Sequence, residues 1–318
     1  MTTYKEIFGK YVKNYSSDPS SDIEGQIWYN TTSGTFKSNI NVGGAWASGG
    51  NLTTARRTLG NAGIQTAALA FGGLTTVGIN STEEYDGSTW SPGGNLGTAR
   101  YDIAGAGTQT AGLGFGGQTP STAATEEYDG SAWTAGGNLG TAVFSNAGAG
   151  TQTAGLSFGG YVSVTNTEEY NGSAWTAGGA MGTGRRALTG GGTQTAGLAA
   201  AGIATVNLGS TEEYDGSAWT TGGTMNTARR ATSLGGGTQT AGIVSGGIAG
   251  AVTAATELYN GSTWTASGNL TTARRYLAGA GTQPTAIAFG GLDVGNANTA
   301  ATEEFTDPTF STKTITTS

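Results

Sequence analysis

Few residues of this chain could do chemistry, because its 318 residues include no His and no Cys. The chain therefore has no thiol nucleophile, no imidazole base and no disulfide, and it lacks the usual ligands of zinc, copper and haem. The remaining charged groups are mainly nine arginines and thirteen glutamates. We expect no enzymatic activity, no cofactor and no metal site.

The arginines all occur at one place in a recurring motif. They are Arg56, Arg57, Arg100, Arg185, Arg186, Arg229, Arg230, Arg274 and Arg275. A ring of six such positions, interrupted by Val143 in the third unit, could line a channel and bind an anion. However, eleven of the thirteen glutamates lie in a recurring Glu-Glu-Tyr motif, and buried charges must be paired. We favour this second interpretation, in which arginine and glutamate form structural pairs.

Other charged groups do not form a catalytic or nucleic-acid site. The net charge of −7 argues against nucleic-acid binding, which needs a positive field against phosphate. Asp102 and Asp293 stand outside the repeated motifs, and a single carboxylate makes a poor hydrolase. The Gly-Ala-Gly-Thr-Gln-Thr stretch at 105–110 lacks the Gly-Lys-Ser/Thr of a phosphate-binding loop, and we interpret it as a hairpin turn.

An internal repeat organises most of the chain. Six tryptophans are spaced by 44, 43, 42, 44 and 45 residues: Trp46, Trp90, Trp133, Trp175, Trp219 and Trp264. A glutamine and an acidic–aromatic pair follow the same period, although the pair is loosened to Leu258-Tyr259 in the fifth unit. The pattern indicates six units of one architecture.

Each unit predicts four short strands. In the second unit, these are 100–107, 111–115, 125–128 and 131–134, separated by Gly-rich turns and one variable loop. Small residues fill the first two strands, and bulky Tyr and Trp fall on the last two, as a wedge with a crowded hub requires. Four antiparallel strands in 42–45 residues match one blade of a β-propeller.

The order of motifs resembles the kelch family. Gly-Gly doublets occur at 72–73, 116–117, 159–160, 246–247 and 290–291. The first three are each followed by the Glu-Tyr pair and the Trp, the fourth by Leu258-Tyr259 and Trp264, and the last by Glu304-Phe305. The fourth unit departs from this pattern, with Ala201-Gly202 in place of the doublet. The resemblance implies an all-β fold, a six-bladed kelch-like β-propeller over residues 40–310, with a short N-terminal hairpin extension and a tail at 311–318.

Two residues compete to supply the last strand of the sixth blade. Phe310 lies at the same distance from Glu304 as Trp90 does from Glu84. Trp46 is the alternative, because it leads into a Gly-Gly-Asn-Leu stretch as other tryptophans do. We favour closure by Trp46.

Residues 1–39 lie outside the repeat and contain an aromatic hairpin formed by Trp28, Tyr29 and Phe36. The stretch Gly25-Gln26-Ile27-Trp28-Tyr29-Asn30 resembles a short module near the N-terminus of bacteriophage tail-fibre and tail-associated proteins. In such proteins the N-terminal piece docks onto the particle, which implies attachment to other virion proteins. An extra hairpin on the side of the propeller is the alternative.

The repeats differ mainly in the loops between their second and third strands. These loops are 74–81, 118–124, 161–166, 203–210, 248–255 and 292–301, and they include the candidate binding residues Tyr161, Asn207, Asp293 and Asn296. Loops on a rigid scaffold commonly carry recognition. The small, neutral, hydroxyl-rich residues favour a sugar or a flat protein patch over an anionic polymer, although unconstrained drift of loop sequence would also produce this variation.

Together these features predict a non-enzymatic virion protein of a tail fibre or another surface appendage. It would bind another virion protein at one end and a host-surface glycan or protein at the other. The first ten residues lack an apolar stretch, and no apolar run approaches about 18 residues, so we expect synthesis as a soluble protein in the host cytoplasm, without membrane insertion. A cytoplasmic bacterial kelch scaffold and a carbohydrate-active enzyme are the alternatives.

Overall fold

The computed structural model describes residues 12–19, 26–42, 44–161, 165–307 and 309–315. Residues 1–11 and 20–25 of the expected attachment segment, and 162–164 of one variable loop, lie outside these ranges. The described residues form strands and turns without any helix, which confirms the all-β expectation. The chain divides into two units, Met1–Gly44 with Asp307–Ser318 and Ala45–Thr306.

The larger unit contains six four-stranded antiparallel sheets. Sheet 1 consists of Gly60–Ile64, Ala67–Phe71, Thr82–Tyr85 and Trp90–Gly93. Sheet 2 consists of Ala104–Gly107, Gly112–Phe115, Thr125–Tyr128 and Trp133–Ala135. Sheet 3 consists of Ala147–Thr151, Ala154–Phe158, Thr167–Tyr170 and Trp175–Ala177. Sheet 4 consists of Thr189–Thr193, Ala196–Ala200, Thr211–Tyr214 and Trp219–Thr221. Sheet 5 consists of Ser233–Thr238, Ala241–Ser245, Thr256–Tyr259 and Trp264–Ser267, with a small hairpin of Ile248–Ala249 and Ala251–Val252 between its second and third strands. Sheet 6 consists of Ala278–Gly281, Thr285–Phe289, Thr302–Thr306 and Ala45–Ser48.

Trp46 therefore supplies the fourth strand of sheet 6, where it pairs with Phe305. The strand that contains Phe310 pairs with Thr35–Val42 in the smaller unit. The expectation that Trp46 supplies the last strand of this sheet is confirmed, and the alternative that Phe310 supplies it is wrong.

The first strands need Gly because neighbouring sheets approach closely there. A Cβ on Gly105 would lie 2.3 Å from the carbonyl oxygen of Asn61 in sheet 1, and one on Gly148 would lie 2.4 Å from that of Gly105. Such distances allow only hydrogen at the α-carbon. The predicted first strand of sheet 2, 100–107, begins later, at Ala104, because Asp102 has a positive φ of 50° that interrupts extended backbone.

Side chains of each sheet bind the preceding sheet. Each Trp indole N–H donates to a Thr hydroxyl at 2.9–3.0 Å, in the pairs Trp46 with Thr256, Trp90 with Thr302, Trp133 with Thr82, Trp175 with Thr125, Trp219 with Thr167 and Trp264 with Thr211. Each motif Gln amide donates to two carbonyls of the preceding sheet. Gln109, for example, binds the carbonyl oxygens of Ala68 and Tyr85, and Gln65 binds those of Ala286 and Phe305 in sheet 6.

A ring of backbone hydrogen bonds joins the loops that precede the first strands. The N–H to carbonyl bonds measure 2.8–3.1 Å and run from Thr58 to Tyr276, Tyr276 to Ala231, Ala231 to Ala187, Ala187 to Ser145, Ser145 to Asp102 and Asp102 to Thr58. All six residues have φ between 48° and 55°, a left-handed conformation that costs a non-Gly residue about 1–3 kcal/mol. The repeated sheets and this ring are consistent with a propeller-like fold.

The smaller unit holds one mixed sheet of Lys13–Tyr15, Ile27–Asn30, Thr35–Val42 and Thr309–Thr314, in that order. Its first pair of strands is parallel and the other two pairs are antiparallel. The expected boundaries at 39 and 310 differ from this division. Backbone pairing places 40–42 and 309–314 in the smaller unit, so the residues expected to form a C-terminal tail include part of a strand.

Candidate functional site

We call the second residues of the four arginine pairs the outer arginines, and three of the four line a cavity of the larger unit. This cavity, which we call the arginine mouth, has a volume of about 520 Å³. It is lined by Arg57, Thr58, Leu74, Tyr101, Asp102, Ser145, Arg186, Ala187, Ile203, Arg230, Tyr276 and Leu292. Arg275 lies beside it, with its guanidinium 5.8 Å from the centre of the Tyr276 ring.

Backbone bridges fix the lining arginines against the variable loops. Arg57 pairs with Leu74, Arg186 with Ile203, and Arg230 with Ile248. Each arginine is followed directly by a residue of the backbone ring, namely Thr58, Ala187 or Ala231. The ring and the loops therefore hold these arginine backbones from two sides.

The first residue of each pair and the unpaired Arg100 have the opposite environment, and we call these five residues the inner arginines. Arg56, Arg100, Arg185, Arg229 and Arg274 have no exposed side-chain surface, and each forms an ion pair with a glutamate of its own repeat. Arg274, for example, lies 2.8 Å from Glu303 and also donates to the carbonyls of Gly290 and Ala301. Burial lowers the pKa of Arg56 to about 10, and the charge of Glu83 opposes that change. The expected arginine–glutamate pairing is confirmed for these five arginines.

Repeat 3 departs from this pattern, because Val143 occupies the place of the inner arginine. A small cavity lies between Val143, Ser157 and Glu168, and the Asn146 amide donates to the Ser157 hydroxyl at 2.9 Å. The Oδ1 atom of Asn146 is buried without a partner. A neutral polar pair thus stands beside the position of the missing guanidinium.

Three of the four predicted binding residues contact the outer arginines. Asn207 Oδ1 accepts a hydrogen bond from Arg230 Nη1 at 2.6 Å, and Asn296 Oδ1 accepts one from Arg275 Nη2. The guanidinium of Arg186 lies 5.1 Å from the centre of the Tyr161 ring. Each of these three residues therefore contacts an outer arginine.

Asp293 has a different environment. Its Oδ1 atom accepts from the backbone N–H of Ala297 at 2.9 Å, and its carbonyl accepts from the N–H of Asn296. These bonds stabilise the turn of its own loop, and among the described residues Asp293 forms no ion pair with an arginine.

Asn298 is a residue of this site that the sequence did not single out. Its Oδ1 atom accepts from Arg57 Nη1 at 2.8 Å, and its amide donates to the carbonyls of Leu74 and Thr75. Asn298 pairs with Leu292 as Asn207 pairs with Ile203. An asparagine four positions before the third strand, as at Asn207, is the sequence signal that could have identified it.

Asp102 is the carboxylate of the arginine mouth. Burial raises its pKa to about 6, while a hydrogen bond with the Ser145 side chain and the charge of Arg57 act in the opposite direction. Asp102 also lines an inner cavity of about 130 Å³. The inner cavity shares Thr58, Asp102, Ser145, Ala187 and Tyr276 with the arginine mouth.

The predicted attachment residues lie in the smaller unit. Trp28 is fully buried, and its indole N–H donates to Asp18 Oδ1 at 3.1 Å. Asp18 also accepts from Asn30 at 2.7 Å and from Lys37 at 2.8 Å, and the Lys37 bond is the main reason why its pKa is lowered. The rings of Tyr29 and Phe36 lie 5.1 Å apart and are half-buried.

The described ranges contain no group of three His, Cys, Asp or Glu side chains placed to hold a metal ion. Within the same ranges no helix is long and apolar enough to cross a membrane. Comparisons with models of protein families and with curated proteins find no match for this chain.

Proposed function

We propose that residues 45–306 form a closed six-bladed kelch-like β-propeller whose variable-loop face binds a ligand without chemical conversion. The ring of backbone hydrogen bonds supports six blades, because it returns to Thr58 after six residues. The bonds from Gln65 to sheet 6 support closure between the first and last repeats. The recurring order of Gly-Gly, Glu-Tyr and Trp, complete in the first three repeats, supports the kelch resemblance.

The binding face is proposed from one observation, the contrast between the two ends of the sheets. At one end the turns repeat the same bonds. Asp86, Asp129, Asn171, Asp215 and Asn260 each accept two backbone N–H bonds through Oδ1. The loops between the second and third strands differ in sequence, and they contact the outer arginines. Recognition of a ligand at these loops best explains why the repeats differ there and not at the opposite end.

We further propose that the protein is part of a bacteriophage virion, in a tail fibre or another surface appendage. The smaller unit would bind other virion proteins, and the arginine mouth and its loops would bind a host-surface receptor. The resemblance of residues 25–30 to virion modules supports this assignment. The proposal includes synthesis as a soluble protein in the host cytoplasm, with no nucleic-acid partner and no membrane insertion.

A loop graft tests the binding face. Residues 203–208 are replaced by the sequence of 74–79, which has the same length but supplies Gly in place of Asn207. Particles with the graft should adsorb less to host cells than wild-type particles while the protein remains folded. Asp86→Asn is the matched control at the opposite end, because Asn260 makes the same turn bonds naturally. Unchanged adsorption by grafted particles would contradict the proposed face.

Mass spectrometry of purified particles separates the proposal from its alternatives. A virion protein should co-purify with the particles at constant stoichiometry, whereas a bacterial scaffold would remain in the lysate. A carbohydrate-active enzyme would release products from a panel of glycans. Absence from the particles would refute the virion assignment.

A further inference from the structure

The inner and outer arginines differ in the charge of their partners. All five inner arginines are neutralised by glutamates. Among the described residues no ion pair is formed by Arg57, Arg186 or Arg230, and their observed partners are the neutral Asn298, Tyr161 and Asn207. Amide oxygens orient a guanidinium without removing its charge.

The arginine mouth therefore concentrates positive charge in an acidic protein. Three arginines and one carboxylate, Asp102, line this cavity, although the whole chain has a net charge of −7. Walls of low dielectric constant, here Leu74, Ile203 and Leu292, strengthen the field of charges in a cleft. This arrangement favours an anionic group on the ligand.

We propose that the arginine mouth binds the carboxylate of an acidic sugar, such as a uronic acid or a sialic acid. This inference rests on the proposed binding function and names its ligand class. Guanidinium groups bind carboxylates through two parallel hydrogen bonds. The volume of about 520 Å³ lies within the range of small-ligand sites, and Tyr101, Tyr276, Thr58 and Ser145 supply aromatic rings and hydroxyls for the rest of a sugar.

The geometry favours a sugar over an acidic peptide. An extended peptide gains affinity by pairing with an open strand edge. At the mouth, however, the backbone groups of Arg57, Arg186 and Arg230 already pair with the variable loops. The rim thus offers hydrogen bonds from side chains, which suits a compact polar ligand.

Calorimetric titration of the full chain with methyl β-D-glucuronide, methyl β-D-glucoside and N-acetylneuraminic acid tests the proposal. The two acids represent the two sources of a sugar carboxylate, and the glucoside is the neutral match of the glucuronide. At least one acid should bind roughly tenfold or more tightly than the glucoside, the difference expected for one charge-assisted contact. Binding should weaken at higher salt concentration.

Substitutions then locate the site. Arg186→Gln and Arg230→Gln should each weaken acid binding about tenfold, and Arg230→Lys should restore only part of it because lysine lacks the planar pair of donors. Lys13→Gln is the control, since it removes one exposed positive charge from the smaller unit. A midpoint of thermal unfolding equal to that of the wild-type protein verifies that each variant is folded.

Each outcome decides the proposal. Failure of both acids to bind at millimolar concentration overturns it, as does equal binding of the glucoside or insensitivity to both arginine substitutions. Binding of a glutamate-rich peptide, without binding of either acid, would assign the mouth to a protein partner. If the acids fail but the loop graft still reduces adsorption, the proposed binding face stands and only the ligand class is wrong.

Discussion

Tyr85 donates its hydroxyl hydrogen bond to Glu304 Oε1 across 2.5 Å, and this bond joins the first repeat to the last. Four further pairs repeat it between consecutive repeats: Tyr128 with Glu84, Tyr170 with Glu127, Tyr214 with Glu169 and Tyr259 with Glu213. At the sixth such position the residues are Phe305 and Leu258. Phe305 belongs to an apolar cluster, and Leu258 packs against that cluster. The two departures from the motif therefore compensate each other, because the donor and the acceptor are lost together.

This compensation predicts that substitutions of Tyr85 and Glu304 are coupled in their effect on the free energy of unfolding. Tyr85→Phe should lower the free energy of unfolding by about 1–3 kcal/mol, because Glu304 loses its donor. Adding Glu304→Leu reproduces the native Phe–Leu pair and should recover most of that loss. Denaturant unfolding of both single variants and the double variant measures the coupling. Additive losses would contradict the compensation.

Adjacent arginines should differ sharply in their effect on stability. Arg274→Gln leaves Glu303 buried without its partner and should cost about 3–5 kcal/mol. Arg275→Gln, next to it in the chain, removes a half-buried group held by Asn296 and should cost less than about 1 kcal/mol. Denaturant midpoints compare the two variants directly. Equal losses would contradict the division into inner and outer arginines.

Trp46 should be essential to sheet 6. Trp46→Ala removes a buried indole and its hydrogen bond to Thr256, and should cost about 3–5 kcal/mol. Deletion of residues 309–318 removes a strand from the smaller unit and should leave the unfolding of the larger unit unchanged. Calorimetry of the two variants distinguishes the effects. A larger loss from the deletion than from Trp46→Ala would reverse this assignment.

Asp102 should make stability depend on pH. Its pKa in the fold is about 6, above the ordinary value of 3.8, so the fold favours the protonated form. The contribution of Asp102 to stability is therefore greatest below pH 4 and falls as pH rises from about 4 to 6. The loss above pH 6 should be on the order of 3 kcal/mol.

Asp102→Asn tests this dependence, because asparagine keeps a polar side chain and tolerates the positive φ of the position. The stability of the variant relative to wild type should be higher at pH 7.5 than at pH 4. The other charged and titratable groups that line the two cavities with Asp102, together with Ser145, are unchanged in the variant: Arg57, Arg186, Arg230, Tyr101 and Tyr276. A difference that is constant with pH would refute the role of Asp102.

Much of the fold could be predicted from the sequence because its signals are local. The predicted third strand of sheet 2 agrees with Thr125–Tyr128, and the Gly-Thr-Gln-Thr stretch forms a turn as expected. Turn residues and alternation of side chains act within a few positions, so each repeat carries its own information. The pairing of arginine with glutamate also followed from composition, since buried charges need partners.

The sequence by itself determined six repeats, their strands and the loops in which they differ. Only the tertiary structure decided which arginine of each pair is neutralised and which lines the arginine mouth, because adjacent residues in extended backbone point in opposite directions. It also decided that Asn298 binds Arg57, which is 241 positions away in the chain. Such contacts depend on how distant repeats meet, and no local pattern contains that information.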